Sequence, residues 1–154
     1  MKELSQKLLG VIDAAEPKLR KTNAAESTKP VLAGGWSRKQ VIGHLIDSAS
    51  NNHQRFVRAA LQASLDFPGY EQDGCVRVQA PQEADWELLV SLWAGYNRYL
   101  AHVIDRLPES KLGTPCRIGS GEAVTLDFLT KDYLRHLVHH LRQIGAADSE
   151  SAGA

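Results

Sequence analysis

Several things are scarce in this chain, and each scarcity removes a class of function. Charge of one sign is not in excess: 18 Lys and Arg balance 18 Asp and Glu over 154 residues. A chain so balanced offers no electrostatic footprint to nucleic acid or to an anionic membrane. No apolar run approaches the roughly 20 residues that cross a bilayer. The opening stretch "MKELSQKLLGVID" interrupts leucine with charge, where a signal peptide needs an unbroken apolar core, so the expected location is the cytoplasm. Cys75 and Cys116 are isolated and form no CxxC pair. They are expected to be reduced, partly buried thiols, with no base beside them to make a nucleophile. Internal repeats and low-complexity tracts are missing too.

What is present is ordinary for a soluble domain: 43% hydrophobic and 23% charged residues, in a length sufficient for one packed core. The expected domain covers residues 1–145. The small, polar residues 146–154 are expected to be a flexible tail.

Four segments carry helical periodicity. The first starts near Lys2, with Leu4, Leu8, Leu9, Val11 and Ile12 at helical spacing; Pro17 is expected to end, kink or restart it. The second has the clearest start. Ser37 is an N-cap, Gln40 completes a capping box, and Trp36 before the cap can staple onto Val41. It is expected to run to about Leu65. The third spans roughly Glu83 to Leu107, with Trp86, Leu89, Trp93, Tyr96 and Leu100 along one side. The fourth opens at Thr125, an N-cap with Asp127 in the first turn, and closes at Gly145. Two long stretches separate the later helices, "DFPGYEQDGCVRVQAPQE" and "PESKLGTPCRIGSGEAV". Within the first, "CVRVQ" has the look of an extended segment. The predicted fold class is all-α, a four-helix bundle with long loops between helices 2–3 and 3–4.

The fourth helix contains "HLVHHLRQIG". His136 and His140 are four apart, one above the other, close enough for one metal ion to bridge. His139 falls nearer Arg135 and Arg142, toward water. Asp132, His136, His140 and Gln143 make a polar stripe where a bundle helix normally carries leucine. Taken alone, an HxxxH pair is more often a solvated face that happens to hold histidines. The second helix changes that balance. His44, Ser48, Asn51 and Arg55 form a second polar stripe beside the apolar arc, while Asp47, Ser50, Gln54 and Arg58 read as the solvent side. Burying such groups costs free energy unless they are paired or ligate something, so His44 is expected to meet His136 and His140 across the bundle. His53 falls in the apolar arc and reads as a packed histidine.

"WSRKQVIGHLID" and "HLVHHLRQI", with "DSASNNHQRF", "YEQD" and "YNRYL", resemble the DinB-like, YfiT-like superfamily of small metal-binding four-helix bundles. The resemblance covers helices two to four. It implies that the three metal histidines are His44, His136 and His140, that the ion is zinc, nickel or another first-row divalent metal, and that the chain forms a homodimer. An apparent surplus of aromatic surface at Trp86, Trp93 and Tyr99 points the same way. The resemblance also implies a metal-dependent hydrolase, or a transferase or isomerase that uses a low-molecular-weight thiol, acting on a small-molecule substrate.

Three imidazoles leave a coordination position open. A metal there could activate water for hydrolysis or a thiol for transfer. Hydrolysis needs an acid or base, for which Asp132 and Asp73 are the candidates. Thiol transfer needs groups to hold a cofactor, for which Asn51, Arg55, Arg77 and Arg98 are the candidates. The segment "GYEQDG", Gly69 to Gly74, could close over the metal. Asp132, one turn before His136, is expected to accept the free ring N–H of a ligating histidine. If Asp132 instead filled the fourth position, the protein would be a metal-stabilised binding module without turnover.

Overall fold

The computed structural model describes residues 1–148. Six helices and three short strands follow in the order α1 (Lys2–Lys21), α2 (Ala24–Ser27), α3 (Arg38–Leu61), β1 (Leu65–Phe67), α4 (Gln72–Gln79), α5 (Trp86–Asp105), β2 (Pro115–Ile118), β3 (Val124–Thr125) and α6 (Leu126–Gln143). The four long helices α1, α3, α5 and α6 are the expected bundle. Leu8, Ile42, Leu45, Phe56, Trp93 and Leu137 lie at its centre, fully buried.

The boundaries follow local chemistry. Ser37 accepts the Gln40 N–H, and the Gln40 side chain accepts the Ser37 N–H, so the capping box is complete. Asp85 caps α5 and Thr125 caps α6 through the same side-chain geometry. At the end of α6, Gly145 takes φ 73°. Its N–H reaches Arg142 O and that of Ala146 reaches Leu141 O, the paired closure of a Schellman motif.

Five expectations change. Pro17 does not break α1: it is exposed, so the carbonyl it leaves unpaired can turn to water. The helix begun at Ser37 stops at Leu61, and Leu65 is a buried strand residue. The segment "CVRVQ" is not extended but lies in α4, with Val76 buried and Val78 exposed. Trp86 and Trp93 are core residues, and only Tyr99 of the three aromatics is exposed. Residues 146–148, expected to open the tail, are packed or paired. Ala146 is buried, and Asp148 pairs with Lys18 at 2.9 Å; residues 149–154 lie outside the described residues.

The connectivity explains the long loops. α1 packs on α5 and α6, and α3 packs on α5 and α6, while the diagonal pairs barely touch. Ser5 Oγ donates to Ala101 O and Trp86 Nε1 donates to Leu19 O, so α1 and α5 are antiparallel. Lys39 reaches Ala84 O and His53 meets Tyr96, so α3 and α5 are parallel. Parallel neighbours cannot be joined by a tight turn. The chain instead leaves α3 through β1 and returns along its flank through α4 before α5 starts. β1 pairs parallel with β2, and β2 pairs antiparallel with β3, in a small sheet built wholly from the two long connections.

Gly43 lets the returning segment approach. A Cβ there would stand 2.7 Å from Pro81 Cβ and 2.8 Å from its Cγ. Gly43→Ala is therefore expected to destabilise the fold. The overpacking cost of about 1–3 kcal/mol exceeds the ~1 kcal/mol of helix propensity that alanine brings. A thermal melt checks it: an unchanged or raised melting temperature would mean that Pro81 yields freely.

Candidate metal centre

α3 and α6 run antiparallel and bring three histidines together. His44 Nε2 lies 3.2 Å from His136 Nε2, which lies 3.1 Å from His140 Nε2. All three nitrogens fall within 4.8 Å of one another. His44 is buried at 1% exposure; His136 and His140 are half-buried. Trp36, which the sequence reads only as a staple, lies against this cluster, its ring 5.1 Å from that of His44 and stacked 6.5 Å from that of His140. A groove of about 250 Å³ opens beside it, lined by Val31, Leu32, Trp36, Gln72, His140 and Gln143 among others.

The three nitrogens fit a Lewis acid better than they fit each other. His136 Nε2 has one lone pair or one hydrogen, so it cannot make well-aligned hydrogen bonds to two neighbours at once. Two nitrogens bound at roughly 2.1 Å to a shared ion stand at most about 4.2 Å apart, and both short contacts meet that limit. Burial, with the neighbouring rings, pushes His44 down to about 3. Burial and His140 push His136 down to about 4, against an opposing pull from Asp132. Burial lowers His140, with the Gln143 hydrogen bond opposing. All three rings are thus neutral at pH 7, the form that ligates metals.

The surrounding residues fall differently from expectation. Asp132 is engaged by Arg135, and no hydrogen bond joins it to a histidine among those found. The acceptor role belongs to Gln143, whose Oε1 lies 2.8 Å from His140 Nδ1. Asn51 is tied one turn back to Asp47, its Nδ2 donating to Asp47 O at 3.0 Å. Its neighbour Asn52 is the one buried beside Ser48 and Arg55. Asp47 is not on the solvent side: its Oδ2 is buried and its carboxylate faces the Cys75 thiol. Asp73 and Arg77 are exposed on α4. Arg98 faces α1, paired with Asp13 and Glu16. His53 is half-buried, bonded to Tyr96 at 3.1 Å, and His139 is exposed. Both cysteines are free. Burial first raises the pKa of each, with Asp47 and Glu71 adding to the effect at Cys75, which disfavours either as a nucleophile.

The segment expected to close over the metal, Gly69 to Gly74, runs along the flank of α3 and reaches the groove beside the centre through Gln72. Tyr70 lies over Arg55, and α4 packs on α3.

The sequence profile of the DinB superfamily matches residues 7–144. The chain belongs to the DinB superfamily. A candidate metal-dependent hydrolase of Oceanobacillus iheyensis is 24% identical over 132 residues, 86% of this chain and 76% of the relative. Another from Bacillus pumilus is 26% identical over 123 residues, 78% of this chain and 69% of the relative. Among solved structures, this DinB-superfamily chain resembles YfiT from Bacillus subtilis, described as a candidate metal-dependent hydrolase with an unusual four-helix bundle topology. The TM-score is 0.77 at 22% identity, covering 94% of this chain and 85% of that one. It also resembles the mycothiol-dependent maleylpyruvate isomerase, with TM-score 0.73 at 15% identity, covering 94% of this chain and 60% of the isomerase. At these identities the structural likeness is one of fold.

Proposed function

We propose that this chain is a divalent-metal-dependent enzyme acting on a small molecule, and that hydrolysis is its reaction. The observation that carries the reading is the convergence of three neutral histidine Nε2 atoms beside an accessible groove. His44, His136 and His140 would hold the ion. Bound there, a divalent metal supplies Lewis-acid activation of a water molecule or of a thiol. Gln143 Oε1 accepts from His140 Nδ1 and so leaves the Nε2 lone pair pointing at the centre. Trp36 walls off one side from solvent. Among the described residues no carboxylate joins the three histidines, which favours an open site over a closed binding module. Hydrolysis takes precedence over thiol transfer because the two sequence relatives are named as hydrolases. Asp132 is the carboxylate whose charge reaches a ligating ring, that of His136, and it stands as the candidate proton acceptor.

The test begins with protein purified without a nickel column. Metal content is measured, and small esters and amides are assayed before chelation, after it and after reconstitution. The expected result is about one ion per chain and hydrolysis that disappears and returns with the ion. Asp132→Asn should keep the ion and lose turnover by about 100-fold or more. Consumption of a low-molecular-weight thiol without hydrolysis would move the assignment to thiol transfer. A full complement of metal with neither activity would leave the binding module.

A further inference from the structure

Arg55 is buried at 8% exposure, and its Nε donates to nothing. Its polar contact is with Asn52 Oδ1, at 3.4 Å from Nη1. Two aromatic rings flank it, that of Phe67 5.4 Å away and that of Tyr70 6.0 Å away. Among the described residues no carboxylate forms an ion pair with it. Every other arginine for which an ion pair is found (Arg20, Arg38, Arg98, Arg106, Arg117 and Arg135) sits at an exposed or half-exposed position. A desolvated cation without a counter-charge costs several kcal/mol, so a fold retains one for a reason.

Its position suggests the reason. Arg55 ends the buried polar row that begins at the candidate ligand His44 and passes Ser48 and Asn52. The row rises through eleven residue steps, about 16 Å along the helix. Tyr70, half-buried between the exposed Gly69 and Glu71, lies over the guanidinium. A guanidinium fork with unused donors can hold a carboxylate bidentately.

We propose that Arg55 is the binding point for a carboxylate carried by the molecule that reaches the three-histidine centre. The identity of that molecule rests on the proposed function; the anion preference does not. The carboxylate could belong to the compound hydrolysed or to a thiol co-substrate, and matched probes distinguish them. N-acetylcysteine is compared with its amide, and monomethyl succinate with methyl succinamate, by calorimetric titration of the protein with its metal and again after chelation. In at least one pair the carboxylate is expected to bind roughly tenfold more tightly than the amide, and to do so after chelation. The preference should fall to within about twofold in Arg55→Met, whose unbranched side chain still packs between Phe67 and Tyr70. If that variant does not fold, Arg55→Lys, which keeps the charge but loses the fork, should lower carboxylate affinity by about threefold or more with amide affinity unchanged. A preference in the thiol pair assigns the group to the co-substrate, and one in the ester pair assigns it to the compound hydrolysed. No preference in either pair, a preference that disappears on chelation, or one that both variants retain would overturn the proposal. Because the decisive titration is done without metal, a failure of the metal reading leaves this result legible.

Discussion

Alanine at His44, His136 or His140 is expected to empty the metal centre. Occupancy measured by elemental analysis should fall from about one ion per chain to less than about a tenth of that. The reasoning compares shells. Removing a partner that merely orients a ligand costs about 10–100-fold in affinity, and removing a ligand also deletes a bond and leaves two imidazoles for an ion that prefers four donors. His44→Ala should be the most severe, because α6 alone then offers only the His136–His140 pair and the α3 wall contributes nothing. His139→Ala and His53→Ala should stay near wild type, since His139 is exposed and His53 is bonded to Tyr96. Gln143→Leu should weaken the metal by about 10–100-fold by freeing the His140 tautomer, while Asp132→Asn should leave affinity within a few-fold. Full occupancy in His44→Ala would sink the three-histidine centre. Equal losses at Gln143 and Asp132 would restore the carboxylate to the supporting role that the sequence suggests for it.

The histidines were legible because they break a rule. Leucine belongs on the arc of α6 that meets α3, and two imidazoles four residues apart occupy it. The capped start of α3 fixes its phase, so His44 could be placed on the facing arc from the sequence alone. The same periodicity fails one step further along. The series 44, 48, 51, 55 and the series 44, 48, 52, 55 both follow 3.6 residues per turn, and only packing shows that Asn52 is the buried one. Asp47 is misplaced for a related reason. The helical wheel gives it to solvent, but the crossover passes there and covers it. That crossover is itself illegible, because α3 and α5 are parallel and no local pattern announces a parallel pair. Within it, "CVRVQ" offers alternate valines that suit a strand as well as an eight-residue helix, an ambiguity that short apolar runs always carry. Gln143 is visible in the polar stripe of α6, yet the carboxylate of Asp132 on the same stripe reads as the better acceptor, and only the folded chain pairs that carboxylate with Arg135.

Lowering pH is expected to destabilise the metal-free protein steeply below about pH 6.5, and the metal-loaded protein in parallel with it. In the folded chain burial holds His44 at about 3 and His136 at about 4, well below the ordinary imidazole value of 6.5. The unfolded chain therefore takes up protons that the folded chain refuses. A depressed folded value means that the contribution to stability is fully present above 6.5 and is lost as pH falls toward the folded values. Each histidine contributes a slope of up to about 1.4 kcal/mol per pH unit in that window. The two together amount to a fall in melting temperature on the order of 5–10 °C per unit for a chain of this size. The metal raises the whole curve by mass action without steepening it. Folded imidazoles that are already neutral release no proton when an ion arrives, so the gap between the loaded and chelated melts should stay constant from pH 7 down to about 5. Were the three histidines instead to titrate normally in the folded chain, the chelated curve would be flat through this range. The gap would then close with acid as protons displaced the ion. Melting scans of chelated wild type and His44→Ala decide between the two: the variant should lose about a third to a half of the slope, since His140 is lowered as well, and an unchanged slope would place the acid sensitivity elsewhere in the molecule.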